Sequence, residues 1–436
     1  MSDKFRKLAK AAIAIPGMVA TAQAAAPADA EASYRYTKYS EDDSPQSRDD
    51  SGGAQERYNI NVHQFHLLYP LAEHWSVGVE TSLETMAGAS PVYSYIPDSE
   101  EDVYTHFAGA SEETRFDVSA NARRYSSKSE AGTALYFSKE RDYTAINAAT
   151  DGSFQINDQM TTFSGGVSYG HDWLNPTVVD SNGNVTNGND LSDAELAELV
   201  TTNPASFGAI DGSKWQISAF EGIGQIINMN TVVQASVAVT YKDGYLSDPY
   251  RNCVGSVEAI AEDVPCDIRP SSRLAGTLSL GGRRFLPNLN SAVHLDYRLY
   301  VDTWDVLSNT LDLDYFQNYA PGWTFFTRHN IDFQFIPGLR YYQQTAAYFY
   351  EVPDLNDASG WVYTADTTEY YSSDPRLSHY GALALKFRTK ADIKNFSVVS
   401  AFERYMTNPK LGFNFDDEIP GLPSYWRLTT GLDYRF

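Results

Sequence analysis

The residues that first suggest chemistry form a short motif inside a segment of alternating polarity. Gly166-Val167-Ser168-Tyr169-Gly170 matches the nucleophile-elbow pattern of serine hydrolases, and His171 follows it directly. The elbow requires a strand, a sharp turn and then a helix. Here Ser168 and His171 differ in parity within one extended segment, so they point to opposite faces. The eight histidines are scattered, and we predict that the protein is not an enzyme.

A second motif, in a long polar stretch, is similar to the start of a calcium loop. Asp180, Asn182 and Asn184 offer oxygen ligands at alternate positions. Val185 stands where such a loop needs glycine, and Leu191 stands where it needs the closing glutamate. Two interpretations stay open, a solvated loop that leads into a short helix and a loose Ca²⁺ site. No other cofactor is expected.

The composition sets limits on the class of protein. The 436 residues carry a formal net charge of −23, and aromatic residues make up 14 % of the chain. An acidic surface does not neutralise phosphates, so nucleic-acid binding is excluded. The sequence contains no apolar run of about 18 residues, the length that a transmembrane helix needs. A β-barrel remains compatible with the mean hydropathy of −0.39, because only every second residue of its strands is apolar.

The first 24 residues resemble a secretory signal peptide. Four basic residues from Lys4 to Lys10 precede a short apolar stretch, and Ala22-Gln23-Ala24 forms a cleavage site. Removing residues 1–24 takes away a net charge of +3, because Asp3 leaves with the four bases, and the mature chain 25–436 carries −26. In an oxidising compartment, Cys253 and Cys266 are expected to form a disulfide worth about 3 kcal/mol.

Period-two alternation recurs through the mature chain and predicts β-strands. Apolar residues from Val293 to Val301 alternate with charged residues from His294 to Asp302, and a similar pattern ends at Phe436. Such strands have one apolar and one polar face. They predict an all-β, transmembrane, antiparallel up-and-down barrel with an apolar exterior and a wet lumen.

Tight and long connections alternate between these segments, as expected for short periplasmic turns and long extracellular loops. We predict about sixteen strands, with loops near 87–114, 174–212, 243–270, 353–374 and 409–422. The stretch 319–328 is either a long periplasmic turn or two extra strand ends, so fourteen or eighteen strands also fit. The expected location is the bacterial outer membrane, and the expected partners are its lipid and lipopolysaccharide.

Several motifs in order resemble a bacterial outer-membrane family known as domain of unknown function thirty-five-seventy. They include Tyr39–Asp43, Gly88–Pro91, Ser138–Tyr143, Gly244–Arg251, Tyr297–Trp304, Arg340–Tyr350 and Ser373–Ser378. The resemblance implies an outer-membrane barrel and supplies no reaction. Through the neighbours of its members, it implies an extracytoplasmic redox or export assembly with a small lipoprotein as partner. A terminal aromatic such as Phe436 resembles the signal that the barrel-assembly machinery reads.

The charged residues of the predicted strands are the candidates for function. In the hairpin that turns near Trp304–Asp305, we predict that Arg298 lies close to Asp312 and Asp296 close to Asp314, with Arg340 facing the same lumen. This ladder of opposite charges across the lumen could stiffen the barrel wall. Alternatively, it could create a transverse field that orients a permeating solute. Candidate rim residues at strand ends are Glu140, Asp142, Asp248, Asp302, Asp305 and Asp374.

Two functions remain open at this stage. An acidic mouth favours cations over anions, so the first is a channel for small cationic or neutral solutes. The second is a structural or docking barrel of an envelope export or redox complex, whose lumen is plugged.

Overall fold

The computed structural model describes residues 26–43, 56–107, 111–179, 182, 184–202, 209–251, 267–354, 356, 370–413 and 419–436. The predicted signal peptide, Asp180, Cys253 and Cys266 lie outside these residues. The predictions about them therefore stay predictions.

Sixteen antiparallel strands form one closed barrel, in which the first and last strands pair. In ring order the barrel strands are β1 (Glu31–Glu41), β2 (Asn59–Pro70), β3 (Trp75–Gly88), β6 (Ser111–Ser126), β7 (Ser129–Lys139), β8 (Tyr143–Ile156), β9 (Thr161–Leu174), β12 (Ser213–Asn228), β13 (Thr231–Gly244), β14 (Ser272–Leu286), β15 (Ser291–Asp302), β16 (Leu307–Tyr319), β17 (Ile331–Gln344), β18 (Tyr380–Ile393), β19 (Phe396–Asn408) and β20 (Tyr425–Arg435). The predicted fold class and the count of sixteen are confirmed.

The remaining described elements lie in the connections. Two small hairpins form from β4 (Pro91–Tyr95) with β5 (Tyr104–Phe107), and from β10 (Thr177–Val179) with β11 (Val185–Asn187). The α-helices are Asp193–Thr202 and Thr324–His329, and the 3₁₀ turns are Gly188–Asp190, Pro287–Leu289, Pro375–Leu377 and Pro409–Leu411. In the part of the chain that the structure describes, no helix has the length and apolarity to cross a bilayer.

The alternation of residue types explains why these segments become barrel strands. On β13, Val233, Val237 and Val239 are large apolar side chains that remain exposed on the outer surface. The residues between them, such as Gln234 and Ser236, face the lumen. Burial of the outer set requires hydrocarbon, because no second layer formed by the described residues covers it, and this identifies the barrel as one that spans a membrane.

The two ends of the barrel differ in their connections. At one end, the short-turn end, connections have two to four residues, except for 320–330, which contains the helix Thr324–His329. That helix resolves the ambiguous stretch as a long turn, so fourteen and eighteen strands are excluded. At the other end, the loop end, six long connections span 42–58, 89–110, 175–212, 245–271, 345–379 and 409–424, and two short ones span 140–142 and 303–306.

The register of the β15–β16 hairpin differs from the prediction by two residues. Arg298 pairs with Thr310, and Asp296 pairs with Asp312. The predicted pairings of Arg298 with Asp312 and of Asp296 with Asp314 were therefore both wrong. The turn is centred on Trp304, because Asp302 accepts hydrogen bonds from the backbone N–H groups of Trp304 and Val306 at 2.8 and 3.1 Å. Moving a turn centre by one residue shifts every cross-strand partner by two.

The outer face of β13 gives a direct test of the membrane-spanning assignment. Val237→Arg is expected to destabilise the barrel by about 2–4 kcal/mol if the residue lies near the bilayer midplane, because a guanidinium is then placed in hydrocarbon. Ser236→Arg, one residue away on the lumen face, is the matched control and should change stability far less. Unfolding midpoints in denaturant, measured with both variants folded into liposomes, check the difference. Equal effects of the two substitutions would contradict the assignment of faces.

Candidate functional site at the loop end and in the lumen

Three loops from well-separated strands meet at the loop end. They are 89–110 after β3, 245–271 after β13 and 345–379 after β17, and we call them the loop cap. In the ring order, β3, β13 and β17 are the third, ninth and thirteenth strands of sixteen. Loops anchored so far apart can touch only by folding inward over the mouth.

Direct hydrogen bonds join the three loops to one another. The Arg251 guanidinium donates to the Val92 carbonyl at 3.1 Å, and the Ser94 N–H donates to Ser373 Oγ at 3.1 Å. Ile268 and Tyr371 exchange backbone hydrogen bonds of 2.9 and 2.8 Å. The mouth is therefore crossed by ordered protein rather than framed by separate loops.

Asp374 lies at the centre of the loop cap and is 1 % exposed. Its oxygens are 3.1 Å from Arg251 Nη2 and 3.0 Å from Arg269 Nη2, and Arg376 Nε donates to it at 2.8 Å. Asp248 adds a second carboxylate, 3.2 Å from Arg376 Nη2. Two of the predicted rim residues, Asp248 and Asp374, thus share one buried arginine–carboxylate cluster.

The protonation of Asp374 follows from this environment. Burial raises the pKa of its carboxyl, but Arg251, Arg376 and Arg269 outweigh burial and hold the pKa well below its usual range. Asp374 therefore stays ionised at neutral pH. A buried carboxylate that keeps its charge and receives three guanidiniums acts as the anchor of the cap.

A second cluster, formed by carboxylates, lies at the rim where the end of β6 meets the 140–142 turn. One carboxylate oxygen each from Glu113, Glu140 and Asp142 lies within 4.8 Å of the others. Glu113 lies beyond the last pair of the β6–β7 ladder, Phe116 with Lys139, and so belongs to the rim.

A cavity of about 720 Å³ opens between the loops on the side of β1 and β20. Its lining includes the acidic side chains of Asp42, Asp43, Glu101 and Asp102 against the basic Arg57 and Lys410. Arg57 is itself neutralised by Glu41, with 2.8 Å between Nη2 and Oε2. Asp42 is likewise neutralised by Arg404, with 2.6 Å between Oδ2 and Nη2, so the cavity beside the loop cap carries a modest excess of acidic over basic side chains.

Inside the barrel, a ladder of charges covers the wall formed by β16, β17 and β18. Arg340 Nε donates to Asp312 at 2.6 Å, and Lys386 also pairs with Asp312. Asp314 is 2.7 Å from Arg388 Nη2 and 3.0 Å from Lys386 Nζ. Gly338 lies between these pairs on β17, and a Cβ there would clash with Asp314 Oδ1. Glycine thus lets the ion pairs cross over the strand.

The other predicted lumen and rim residues have different environments. Asp296 pairs with Arg283 at 2.8 Å, and Asp302 pairs with Arg273. Arg298 makes no ion pair within 4.0 Å among the described residues. Asp305 is an exposed turn residue with a positive φ of 62°.

Acidic and basic residues are distributed unequally around the lumen wall, as shown by which side chains on each strand point inward. From β3 to β9, the lumen-facing acids are Glu80, Glu84, Glu113, Asp117, Glu130, Asp151 and Asp172, and the bases are Arg115 and Arg123. From β14 to β18, the acids are Asp296, Asp302, Asp312, Asp314, Asp332 and Asp392, and the bases are Arg273, Arg283, Arg298, Arg340, Lys386, Arg388 and Lys390. The first wall is strongly acidic and the opposite wall is slightly basic, which creates a field across the lumen.

The motifs that first suggested chemistry do not converge. Ser168 faces the lumen within β9, whereas Tyr169 and His171 contact each other on the outer face, with 3.4 Å between the hydroxyl and Nδ1. Asn182 and Asn184 are exposed, and Asp180 is not described, so the calcium loop stays a prediction.

Several charged residues of the site went unnamed at the sequence level. Lys386 and Arg388 share the period-two pattern of β18 and could have been found by it. Asp267 and Arg269 lie in an irregular loop, where alternation gives no information about contacts. Arg251 was named only as the end of the motif Gly244–Arg251, with no contact predicted for it. Their assembly depends on a meeting of three loops that no local pattern encodes.

The corrected register changes the prediction for the ladder. Asp312→Ala is expected to destabilise the barrel by about 1–2 kcal/mol, because Arg340 and Lys386 lose a partly buried partner. Arg298→Ala, which breaks no ion pair, should stay within about 0.5 kcal/mol of the parent. Denaturant midpoints of the two variants in detergent check this, and a larger loss for Arg298→Ala would contradict the observed register.

A closed sixteen-stranded barrel with an apolar exterior, a charged lumen and long loops at one end is a transmembrane β-barrel of the outer-membrane type. The chain belongs to the family described as protein of unknown function (DUF3570), whose profile matches residues 5–433. A comparison with curated proteins finds no match.

Solved structures with a similar overall fold include a bacterial polysaccharide outer membrane secretin, with 9 % identity over 93 % of this chain and 98 % of that chain and a TM-score of 0.46. OccAB4 of Acinetobacter baumannii matches with 8 % identity over 94 % and 97 % of the two chains and a TM-score of 0.39. A mutant of the monoaromatic hydrocarbon channel TodX matches with 11 % identity over 94 % and 91 % and a TM-score of 0.40.

Proposed function

We propose that the protein is an outer-membrane channel for small cationic or neutral polar solutes, with the loop end facing the outside of the cell. The observation that carries this proposal is the state of the lumen charges. Glu80 and Arg298 face the lumen without an ion-pair partner among the described residues. Unpaired charges need water, so a lumen plugged by its own side chains would not retain them. A water-filled lumen in a barrel of this size can conduct solutes.

The preference for cations rests on the mouth. The lining of the cavity beside the loop cap contains more acidic than basic side chains, and the predicted mature chain carries −26. Negative potential in a cleft concentrates cations and repels anions. The field across the lumen would then orient dipolar solutes as they pass. We propose no enzymatic activity, since Ser168 and His171 lie on opposite faces of β9.

One observation favours the alternative of a docking barrel. The loop cap crosses the mouth with three loops held by buried charges, and this surface could present a fixed platform to a small lipoprotein or to another envelope component. Outer-membrane lipid and lipopolysaccharide would surround the barrel in either case. Insertion through the barrel-assembly machinery, with Phe436 as its signal, is part of the same proposal.

Conductance in planar bilayers tests the channel. The purified barrel should produce discrete openings, and a KCl gradient should give a reversal potential with the sign expected for cation preference. Heat-unfolded protein from the same preparation is the control for contaminating porins. A folded barrel that inserts without openings, and that co-purifies with a lipoprotein, would support docking and overturn the channel.

A further inference from the structure

The acidic cluster at the β6 rim has a geometry that the proposed channel does not explain. Glu113 comes from the end of β6, and Glu140 and Asp142 come from the turn between β7 and β8. Asp142 is 6 % exposed and Glu140 is 3 % exposed. Three carboxylate oxygens within 4.8 Å of one another repel strongly in such a place, because little water screens them.

Two carboxylates of the cluster each have one buried oxygen without a hydrogen-bond donor among the described residues. Tyr250 donates its hydroxyl to Asp142 Oδ2, but the other oxygen, Asp142 Oδ1, is buried and has no hydrogen-bond partner among the described residues. Glu113 Oε1 is likewise buried and has no hydrogen-bond partner among the described residues. Buried acceptors without donors are rare in native proteins, because such oxygens are normally satisfied by a proton, a water or a bound ion.

The nearby positive charge does not balance the cluster. Arg115 Nη1 is 3.9 Å from Glu140 Oε1, but the same guanidinium lies 3.0 Å from Glu84 and 3.7 Å from Asp117. One arginine therefore faces several carboxylates. This contrasts with the loop cap, where Asp374 receives three guanidiniums. The rim cluster has excess negative charge and two carboxylate oxygens without donors among the described residues, as a cation site would. In the loop cap, by contrast, guanidinium groups balance the charge of Asp374.

We propose that Glu113, Glu140 and Asp142 bind a hard divalent cation of the Ca²⁺ type. Carboxylate oxygens from separate segments suit Ca²⁺, which accepts six to eight oxygen ligands in flexible geometry, and backbone carbonyls and water would complete the shell. This site is distinct from the predicted loop at Asp180, Asn182 and Asn184.

A cation at the rim would fasten several segments together. It would tie the end of β6 to the 140–142 turn, and Asp142 reaches Tyr250 of the loop 245–271. The hydroxyl of Tyr250 in turn accepts a hydrogen bond from the backbone N–H of Thr177 at 3.1 Å, in the loop 175–212. Asn175 N–H also donates to the Asp142 carbonyl at 2.8 Å. The bound cation would thus order the loop end.

Thermal unfolding of the refolded barrel in detergent tests the site. The sample is free of lipopolysaccharide, so cations that bridge lipopolysaccharide molecules do not contribute to the result. Millimolar Ca²⁺ should raise the Tm by about 2–4 °C relative to EGTA. Glu113→Gln and Asp142→Asn should each abolish this shift. Glu112→Gln is the matched control, because Glu112 is the exposed neighbour on the other face of β6 and should leave the shift intact.

Terbium gives a second readout that does not depend on how well a variant folds. Tb³⁺ substitutes for Ca²⁺, and tyrosines near the site sensitise its luminescence, so emission should rise on binding and fall when Ca²⁺ is added. A wild-type Tm unchanged by Ca²⁺, Mg²⁺ or EGTA, without Ca²⁺-sensitive Tb³⁺ emission, would overturn the proposal and leave a shared proton between Glu113 and Asp142. An equal Ca²⁺ shift in wild type and Glu113→Gln would overturn it as well.

Discussion

Asp374→Asn is expected to open the loop cap. The substitution preserves the shape of the side chain but removes the charge that holds Arg251, Arg269 and Arg376 together. Breaking a buried ion pair by removing one partner costs about 3–5 kcal/mol, because the remaining charges stay buried and uncompensated. A loss of this size would raise the population of open caps by about a hundred-fold or more.

Two measurements report this opening directly. Trypsin cleaves after arginine, and Arg251 and Arg269 are 3 % and 8 % exposed, so the parent should be resistant there and the variant should be cut rapidly. Single-channel conductance should increase in the same variant. Asp305→Asn is the matched control, since Asp305 is exposed at the same end of the barrel and asparagine tolerates its positive φ. Unchanged proteolysis and conductance in Asp374→Asn would show that the cluster does not hold the cap.

The pH dependence of the cap follows from the direction of the pKa shift of Asp374. A carboxyl with a depressed pKa in the folded state stabilises the fold above its unfolded pKa of about 3.9, and this stabilisation is lost as the pH falls through the folded value. The cap should therefore stay closed at neutral and mildly acidic pH. Strong acid should reproduce the behaviour of Asp374→Asn in the parent protein.

The barrel strands could be predicted from the sequence, because their pattern depends only on neighbouring residues. In each strand, neighbouring residues sample lipid and lumen in turn, so alternation on β13 or β20 reveals the facing of every side chain without knowledge of its partners. The strand count followed from this. The stretch near Tyr319 was ambiguous because a short helix at Thr324–His329 interrupts the pattern, and helical spacing over six residues is too short to recognise.

The register and the loops are less accessible to such reasoning. The pairing of Arg298 depended on the centre of one turn, which side-chain hydrogen bonds from Asp302 fix. The cluster around Asp374 depended on three loops that are far apart in sequence. Motifs at Asp248 and Asp374 marked residues at the mouth, but their partner Arg269 could be identified only from the contacts, because loop paths are set by tertiary packing.

Reversing one charge on each wall of the lumen should separate the effect of net charge from that of the transverse field. Glu80 on β3 and Arg298 on β15 lie eight strands apart in the ring of sixteen, on opposite walls, and neither has an ion-pair partner among the described residues. Glu80→Lys should shift ion selectivity toward anions, and Arg298→Glu should shift it toward cations. At about 10 Å in water, a change of two charges alters the local ion concentration about two- to four-fold, depending on salt.

The double variant Glu80→Lys/Arg298→Glu keeps the net charge and reverses part of the field. Its reversal potential in a KCl gradient should return to that of the parent, because the two shifts cancel. Permeation of a zwitterionic solute, measured by swelling of liposomes that contain the barrel, should still differ from the parent, since orientation depends on the field rather than on net charge. If the cap limits conduction, the comparison is made in the Asp374→Asn background. Identical zwitterion rates in parent and double variant would show that the charged walls serve only to stiffen the barrel.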